Sequence, residues 1–134
     1  MSLIIQISAG AADKVILEMA KKEGATLEID TNHSTPVLWA VYKQRSPAVI
    51  KACAKGANLE LVNKNKNTAL SIAMAQDNPD AVITLFDCGL PINTKGYDGK
   101  TAEEYFTRQK ERYDAGKDKG KYDSVLSYIA KKNA

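Results

Sequence analysis

Residues Thr68–Gly89 read TALSIAMAQDNPDAVITLFDCG, and this stretch encodes two short helices set back to back. Ala69, Leu70, Ile72, Ala73 and Met74 form an apolar run with helical spacing. Asp77-Asn78-Pro79 interrupts it, Ala81, Val82, Leu85 and Phe86 resume the pattern, and Gly89 stops the second helix. Neither helix is long enough to be stable alone in water. Displaced by 33 residues toward the N-terminus, Thr35, Pro47 and Gly56 fall where Thr68, Asp80 and Gly89 stood; displaced as far forward, Thr101 takes the place of Thr68. A fixed period in this range means stacked supersecondary units, each covering the apolar face of the next.

Working outward, the spacing predicts an almost wholly helical chain. Helix pairs are expected near 3–9/12–22, 36–44/47–55, 69–77/80–88 and 102–113/121–132, with no extended sheet. In the first pair Val15, Ile16 and Met19 are expected to face inward. Thr35-Pro36 and Ser46-Pro47 are helix starts, with a hydroxyl at the N-cap and proline at the first helical position. Three closings place an aliphatic residue three positions after a glycine: Gly24 with Leu27, Gly56 with Leu59, Gly89 with Ile92. The last segment departs from the pattern: its charged helix continues to about Tyr113, the loop Ala115–Gly120 is polar, and Asp123–Lys132 suits a terminal cap.

At 134 residues the chain is sized for one domain, and 44% apolar with 26% charged residues is ordinary for a folded chain. The net charge of +3 is too small to imply nucleic-acid binding by itself, but residues 108–134 hold eight Lys/Arg against four Asp/Glu. Cys53 and Cys88 are too few for a disulfide framework and read as packing residues in a reducing compartment. No apolar run approaches a membrane span, and the N-terminus lacks the basic region of a signal peptide. A cytoplasmic location is expected, with signal-less export also compatible.

The motifs resemble the ankyrin repeat, whose signature is Thr-Pro-Leu-His-x-Ala at this period. Thr35-Pro36-Val37-Leu38-Trp39-Ala40 and Thr68-Ala69-Leu70-Ser71-Ile72-Ala73 carry it, Thr101–Phe106 more faintly, and the Gly-Ala-x-Leu closings match as well. Leu38, Ser71 and Glu104 stand where the family has histidine; Gln44 and Asp77 stand where it has the glycine between helices. The resemblance implies an all-α ankyrin-repeat solenoid, a single domain with repeats at approximately 1–30, 31–63, 64–96 and 97–134. Loops would project as fingertips and the first helices would line a concave face. It also implies a non-catalytic module for protein–protein interaction.

Little in the chain points to catalysis. His33, the single histidine, lies in a polar loop with no zinc-like partners, and neither cysteine has a base beside it in sequence. Glu103-Glu104 reads as an acidic pair favourable to a helix N-terminus. Gly96-Tyr97-Asp98-Gly99 is a turn, and Asn63–Asn67 is a polar turn that could contact phosphate but is only doubly charged and lacks the interleaved aromatics of a nucleic-acid site. No cofactor, metal or small-molecule substrate is expected. The candidate binding residues are those a repeat stack does not need: Asn32, His33, Lys64, Asn65, Tyr97 and Asp98 at loop tips, and Trp39, Tyr42, Lys43, Gln76, Arg108 and Gln109 on the concave helices. Trp39 reads either as half-buried packing or as a contact anchor, since Trp, Tyr and Arg are enriched at hot spots. Three function classes follow. They are a monomeric interaction module for one protein partner, a small inhibitor or immunity protein that neutralises an enzyme or toxin, and, disfavoured, an anionic-surface or nucleic-acid binder using the basic C-terminal segment.

Overall fold

The computed structural model describes residues 3–23, 34–55, 58–113 and 122–133. Among them run eight α-helices: α1 (Leu3–Ser8), α2 (Asp13–Glu23), α3 (Pro36–Tyr42), α4 (Pro47–Ala54), α5 (Ala69–Ala75), α6 (Pro79–Asp87), α7 (Ala102–Tyr113) and α8 (Asp123–Asn133). A single 3-10 turn, Tyr97–Gly99, precedes α7. The only extended pairing among these residues is an isolated antiparallel bridge between Lys95 and Thr101.

Packing follows chain order in two rows. Each odd-numbered helix lies against the even-numbered helix after it. Across the pairs, α1 packs on α3 and α3 on α5, with the Tyr97–Gly99 turn continuing onto α5. On the other side α2 packs on α4, α4 on α6 and α6 on α8. The core fills the space between the rows: Ile7 and Ile16 at one end, Val37, Val49, Leu70, Val82 and Leu85 in the middle, Phe106, Val125 and Ile129 at the other.

Helices α1, α3, α4, α5 and α6 end one or two residues earlier than the sequence pattern predicts, α7 ends as expected, and α2 and α8 run one residue further. For α3 and α5 the early stop has a backbone reason. Gln44 (φ 55°) and Asp77 (φ 58°) both adopt the left-handed conformation. The amides of Gln44 and Arg45 donate back to the carbonyls of Val41 and Ala40, and those of Asp77 and Asn78 to Met74 and Ala73. This paired bonding is the Schellman closing, which also occurs at Gly10 and Gly89. At Gly89 the residue following the glycine, Leu90, turns inward and is buried, whereas Ile92 is only partly covered. Gly24, Leu27 and Gly56 lie outside the described residues. Pro79 does not interrupt a helix but opens α6, capped by the Asn78 side chain, because proline at the first helical position sacrifices no hydrogen bond. In α2, Ile16 is fully buried and Met19 packs partly buried against the core as expected, whereas Val15 is 43% exposed and does not face inward.

The three threonine starts behave differently. Thr68 accepts from the Ser71 amide at 3.1 Å, and its own amide donates to Ser71 Oγ at 2.8 Å. Thr101 and Glu104 form the same reciprocal box, at 3.2 and 3.1 Å. These hydrogen bonds hold the Glu104 carboxyl below the usual glutamate range. Thr35 caps nothing: its buried hydroxyl makes no cap hydrogen bond and has no partner among the described residues, and the Leu38 side chain, three residues on, cannot return the second bond of a box. The sequence-based expectation of a cap at Thr35 is therefore corrected.

Two expected outcomes follow from these caps. Thr68→Ala should destabilise the fold by about 1 kcal/mol in urea denaturation, whereas Thr35→Ala should be close to neutral, because it removes an orphaned buried hydroxyl. Glu104→Gln should match the parent near neutral pH, since glutamine also closes the box. A depressed carboxyl adds stability only while ionised. The parent's melting temperature should therefore fall more steeply than the variant's as pH drops from about 5 through the lowered Glu104 value. Parallel slopes would show that the box does not act through the Glu104 charge.

Candidate protein-binding face

Aligning the left-handed closings of α1, α3 and α5 puts Ile5, Trp39 and Ile72 at one register position and Ser8, Tyr42 and Ala75 at another on the same face; the 33-residue period carries these positions to Tyr105 and Arg108 on α7. The second row of helices does not cover this face. Ile5 is 60% exposed, Trp39 and Tyr105 are half-buried, Ile72 is buried, and Tyr42 is 55% exposed. The Trp39 and Tyr42 rings meet edge to face with centroids 5.6 Å apart, and Lys43 Nζ lies 5.9 Å from the Tyr42 ring centre.

Two loop tips rise beside these helices, built alike. The Asn63 amide donates to the Asn67 carbonyl at 3.1 Å, and 33 residues on the Gly96 amide donates to the Lys100 carbonyl at 2.8 Å. Each tip needs a left-handed residue at the matching place: Lys66 (φ 62°) in the first, Gly99 (φ 68°) in the second, where Asp98 (φ 58°) adds another. Asn63 Oδ1 stiffens the first tip by accepting from the amides of Asn65 and Asn67. The second sits so close to α5 that a Cβ at Gly96 would meet Met74 Sδ at 2.6 Å and Leu70 Cγ at 3.1 Å.

Helices and tips enclose two grooves. One, of about 200 Å³, is lined by Trp39, Tyr42 and Ile72 with Asn63 and Asn65 at its rim. The other, of about 350 Å³, is lined by Tyr97, Asp98 and Lys100 on the tip and by Tyr105, Arg108, Gln109 and Arg112 on α7. Most of the candidate residues thus gather at one face, in two clusters. Lys64 is exposed at the apex of the first tip. Gln76 and Gln109 are engaged internally rather than left for a partner. Gln76 Nε2 donates to the Tyr42 carbonyl at 2.8 Å, and Gln109 Nε2 lies 3.5 Å from Asp77 Oδ1. Asn32 and His33 lie outside the described residues. Tyr105, Lys100 and Arg112 were missed by sequence reasoning, although Tyr105 was in reach: it stands 66 residues after Trp39, two full periods.

Side chains away from this face are mostly tied down. Asp77 accepts from Tyr122 Oη at 2.5 Å as well as facing Gln109, so one carboxylate joins the α5–α6 closing to the last helix pair. Tyr128 Oη donates to Asp87 at 2.6 Å, and burial followed by that contact pushes its hydroxyl up to about 12. Arg45 donates to Asp13 at 2.9 Å and to the Ala11 carbonyl, fastening the first pair to the second. In the basic C-terminal segment, Lys110 pairs with Asp123 at 2.6 Å and Lys132 lies over the Tyr128 ring. Lys117, Lys119 and Lys121 lie outside the described residues.

Both cysteines are free thiols. Burial pushes Cys53 up to about 12 and raises Cys88 as well. Neither carries the lowered pKa of a reactive thiol. The folded chain should therefore react with a thiol-specific reagent at neutral pH far more slowly than the chain unfolded in denaturant, with Cys53 slower than Cys88. Rapid labelling of Cys53 in the folded chain would contradict its burial.

No protein-family model and no curated protein matches the chain. A solved structure does, with TM-score 0.64 and 24% sequence identity over 98% of this chain. It is described as the predatory endopeptidase Bd0816 from Bdellovibrio bacteriovorus in complex with immunity protein Bd3460. The chain spans 63% of the length of the matching chain. At that identity the likeness is one of fold: an all-helical chain similar to a protein found in a protein–protein complex. Among the described residues no helix is long and apolar enough to cross a membrane.

Proposed function

We propose that this chain is a non-catalytic ankyrin-repeat protein, a short solenoid of four helix pairs with degenerate ends, acting as an inhibitor or immunity protein. It binds one protein partner through the tips and the inner helix row. The observation that carries the reading is the uncovered face itself, on which Trp39, Tyr42, Tyr97, Tyr105 and Arg108 gather although the stack does not need them exposed. Aromatic and arginine side chains are the commonest hot-spot residues at protein interfaces. Recurrence of the same closing and tip hydrogen bonds at 33-residue spacing supports the repeat assignment. The similar fold in a complex between an endopeptidase and an immunity protein favours the inhibitor form over a general scaffold.

The alternative of an anionic-surface or nucleic-acid binder draws on the basic C-terminal segment, but two of its lysines are already engaged by Asp123 and Tyr128. The test is affinity capture by the tagged chain, followed by assay of the captured protein's activity with and without it. A 1:1 complex with lost activity is expected. Tyr42→Ala, Tyr97→Ala and Arg108→Ala should leave the melting temperature nearly unchanged, and at least one should weaken the complex by about 2 kcal/mol. A captured partner that stays fully active would leave only the scaffold form. Capture of nucleic acid that falls away steeply with salt would reject the protein-binding reading altogether.

A further inference from the structure

We infer that the groove between the Tyr97–Gly99 turn and α7 is a carboxylate-binding subsite that takes an acidic segment of the partner protein. The inference rests on the protein-binding reading above and names the chemistry of the partner at one of its two clusters. Arg108 and Arg112 stand one helical turn apart on α7, both exposed, and both line the groove. Like charges at this spacing cost a helix stability. Among the described residues no carboxylate forms an ion pair with either. Lys100 adds a third cation from the opposite wall. The Glu104 carboxylate acts on Lys100 while its Oε1 accepts from the Thr101 amide and hydroxyl.

The groove is also walled by aromatic rings. Tyr97, 46% exposed, and Tyr105 meet edge to face with centroids 5.8 Å apart at 78°. Such rings offer contact area while losing little side-chain freedom, and a guanidinium matches the planar fork of a carboxylate with two parallel hydrogen bonds. The surroundings favour an isolated carboxylate over a polyanion. At the register positions of Arg108 and Gln109 the neighbouring pair presents only Ala75 and Gln76, which separates the Arg108–Arg112 cluster from Lys43 further along the face. Asp98 at the rim disfavours the multiply charged phosphate more than a singly charged carboxylate.

The test is an NMR titration of the isotopically labelled full chain at low salt with a capped Gly-Glu-Tyr-Glu-Gly peptide. The matching Gln peptide, inorganic phosphate and a single-stranded oligonucleotide serve as comparisons. Saturable shifts are expected at the amides of Tyr97, Lys100, Tyr105, Arg108 and Arg112. Affinity should drop about tenfold or more for the Gln peptide and for the Arg108→Gln/Arg112→Gln chain, the scale of a lost charged hydrogen bond. Equal binding of the Glu and Gln peptides overturns the inference, as does an absence of shifts in the groove. Tighter binding of phosphate or the oligonucleotide at the same amides overturns it too. The two proposals fail separately. A partner neutralised while the Glu peptide ignores the groove removes this subsite alone, and a Glu-selective groove on a chain that neutralises nothing removes the inhibitor reading alone.

Discussion

Helices of six to nine residues keep their shape only while a neighbour covers their apolar side. Five of the eight here fall in that range, so lateral coverage between successive pairs is the constraint on which everything else depends. The reversal between the two helices of a pair must therefore be tight and the same each time. The left-handed closings at Gly10, Gln44 and Asp77 supply it. They turn the chain within a few residues, satisfy the last carbonyls, and set the next helix back along its partner. A non-glycine residue in that conformation costs on the order of 1 kcal/mol. The chain accepts that cost twice in its best-formed pairs.

Function enters where coverage stops. The outer row is closed by α8 on α6, while the inner row carries rings and guanidinium groups with solvent on one side. Burial of those rings against the stack would have been the simpler arrangement. Their half-exposure is held in place by neighbours: Trp39 by the Tyr42 edge, Tyr97 by Tyr105, and Tyr105 in turn by the buried Phe106. A surface whose side chains are already ordered loses less freedom on binding, and a given contact area then yields more affinity.

The helix pairs were legible in the sequence because apolar spacing, threonine starts and glycine closings all recur at one interval. Helix ends were less so. Gln44 and Asp77 stand where the resemblance has a glycine, yet the apolar spacing counts them as helical, and it is the backbone that shows them doing the work glycine would do. Thr35 shows the opposite failure: a good N-cap residue makes no cap bond, although Asn78 caps the amide of an equally apolar residue three further on. The exposure of Tyr42, Tyr97 and Arg108 was legible, since they fall off the apolar stripes. The internal hydrogen bonds of Gln76 and Gln109 were not legible, because a polar side chain near a helix end reads the same whether or not it meets the neighbouring pair. Lys100, Tyr105 and Arg112 needed the fold to bring the second tip against α7.

Asp77 limits how far the units are interchangeable. In its own turn glycine would be the more comfortable residue, as at Gly10 and Gly89. Its carboxylate nevertheless receives Tyr122 from the last pair and faces Gln109. The second pair offers Gln44 at the matching place, an amide whose charge and reach are different. Duplicating that pair into the third position would keep the hydrophobic pattern and the turn, yet leave the Tyr122 hydroxyl without this acceptor. A chain that looks modular in its helices has become individual in its joints, and growth or shuffling by whole units would have to rebuild the junction as well.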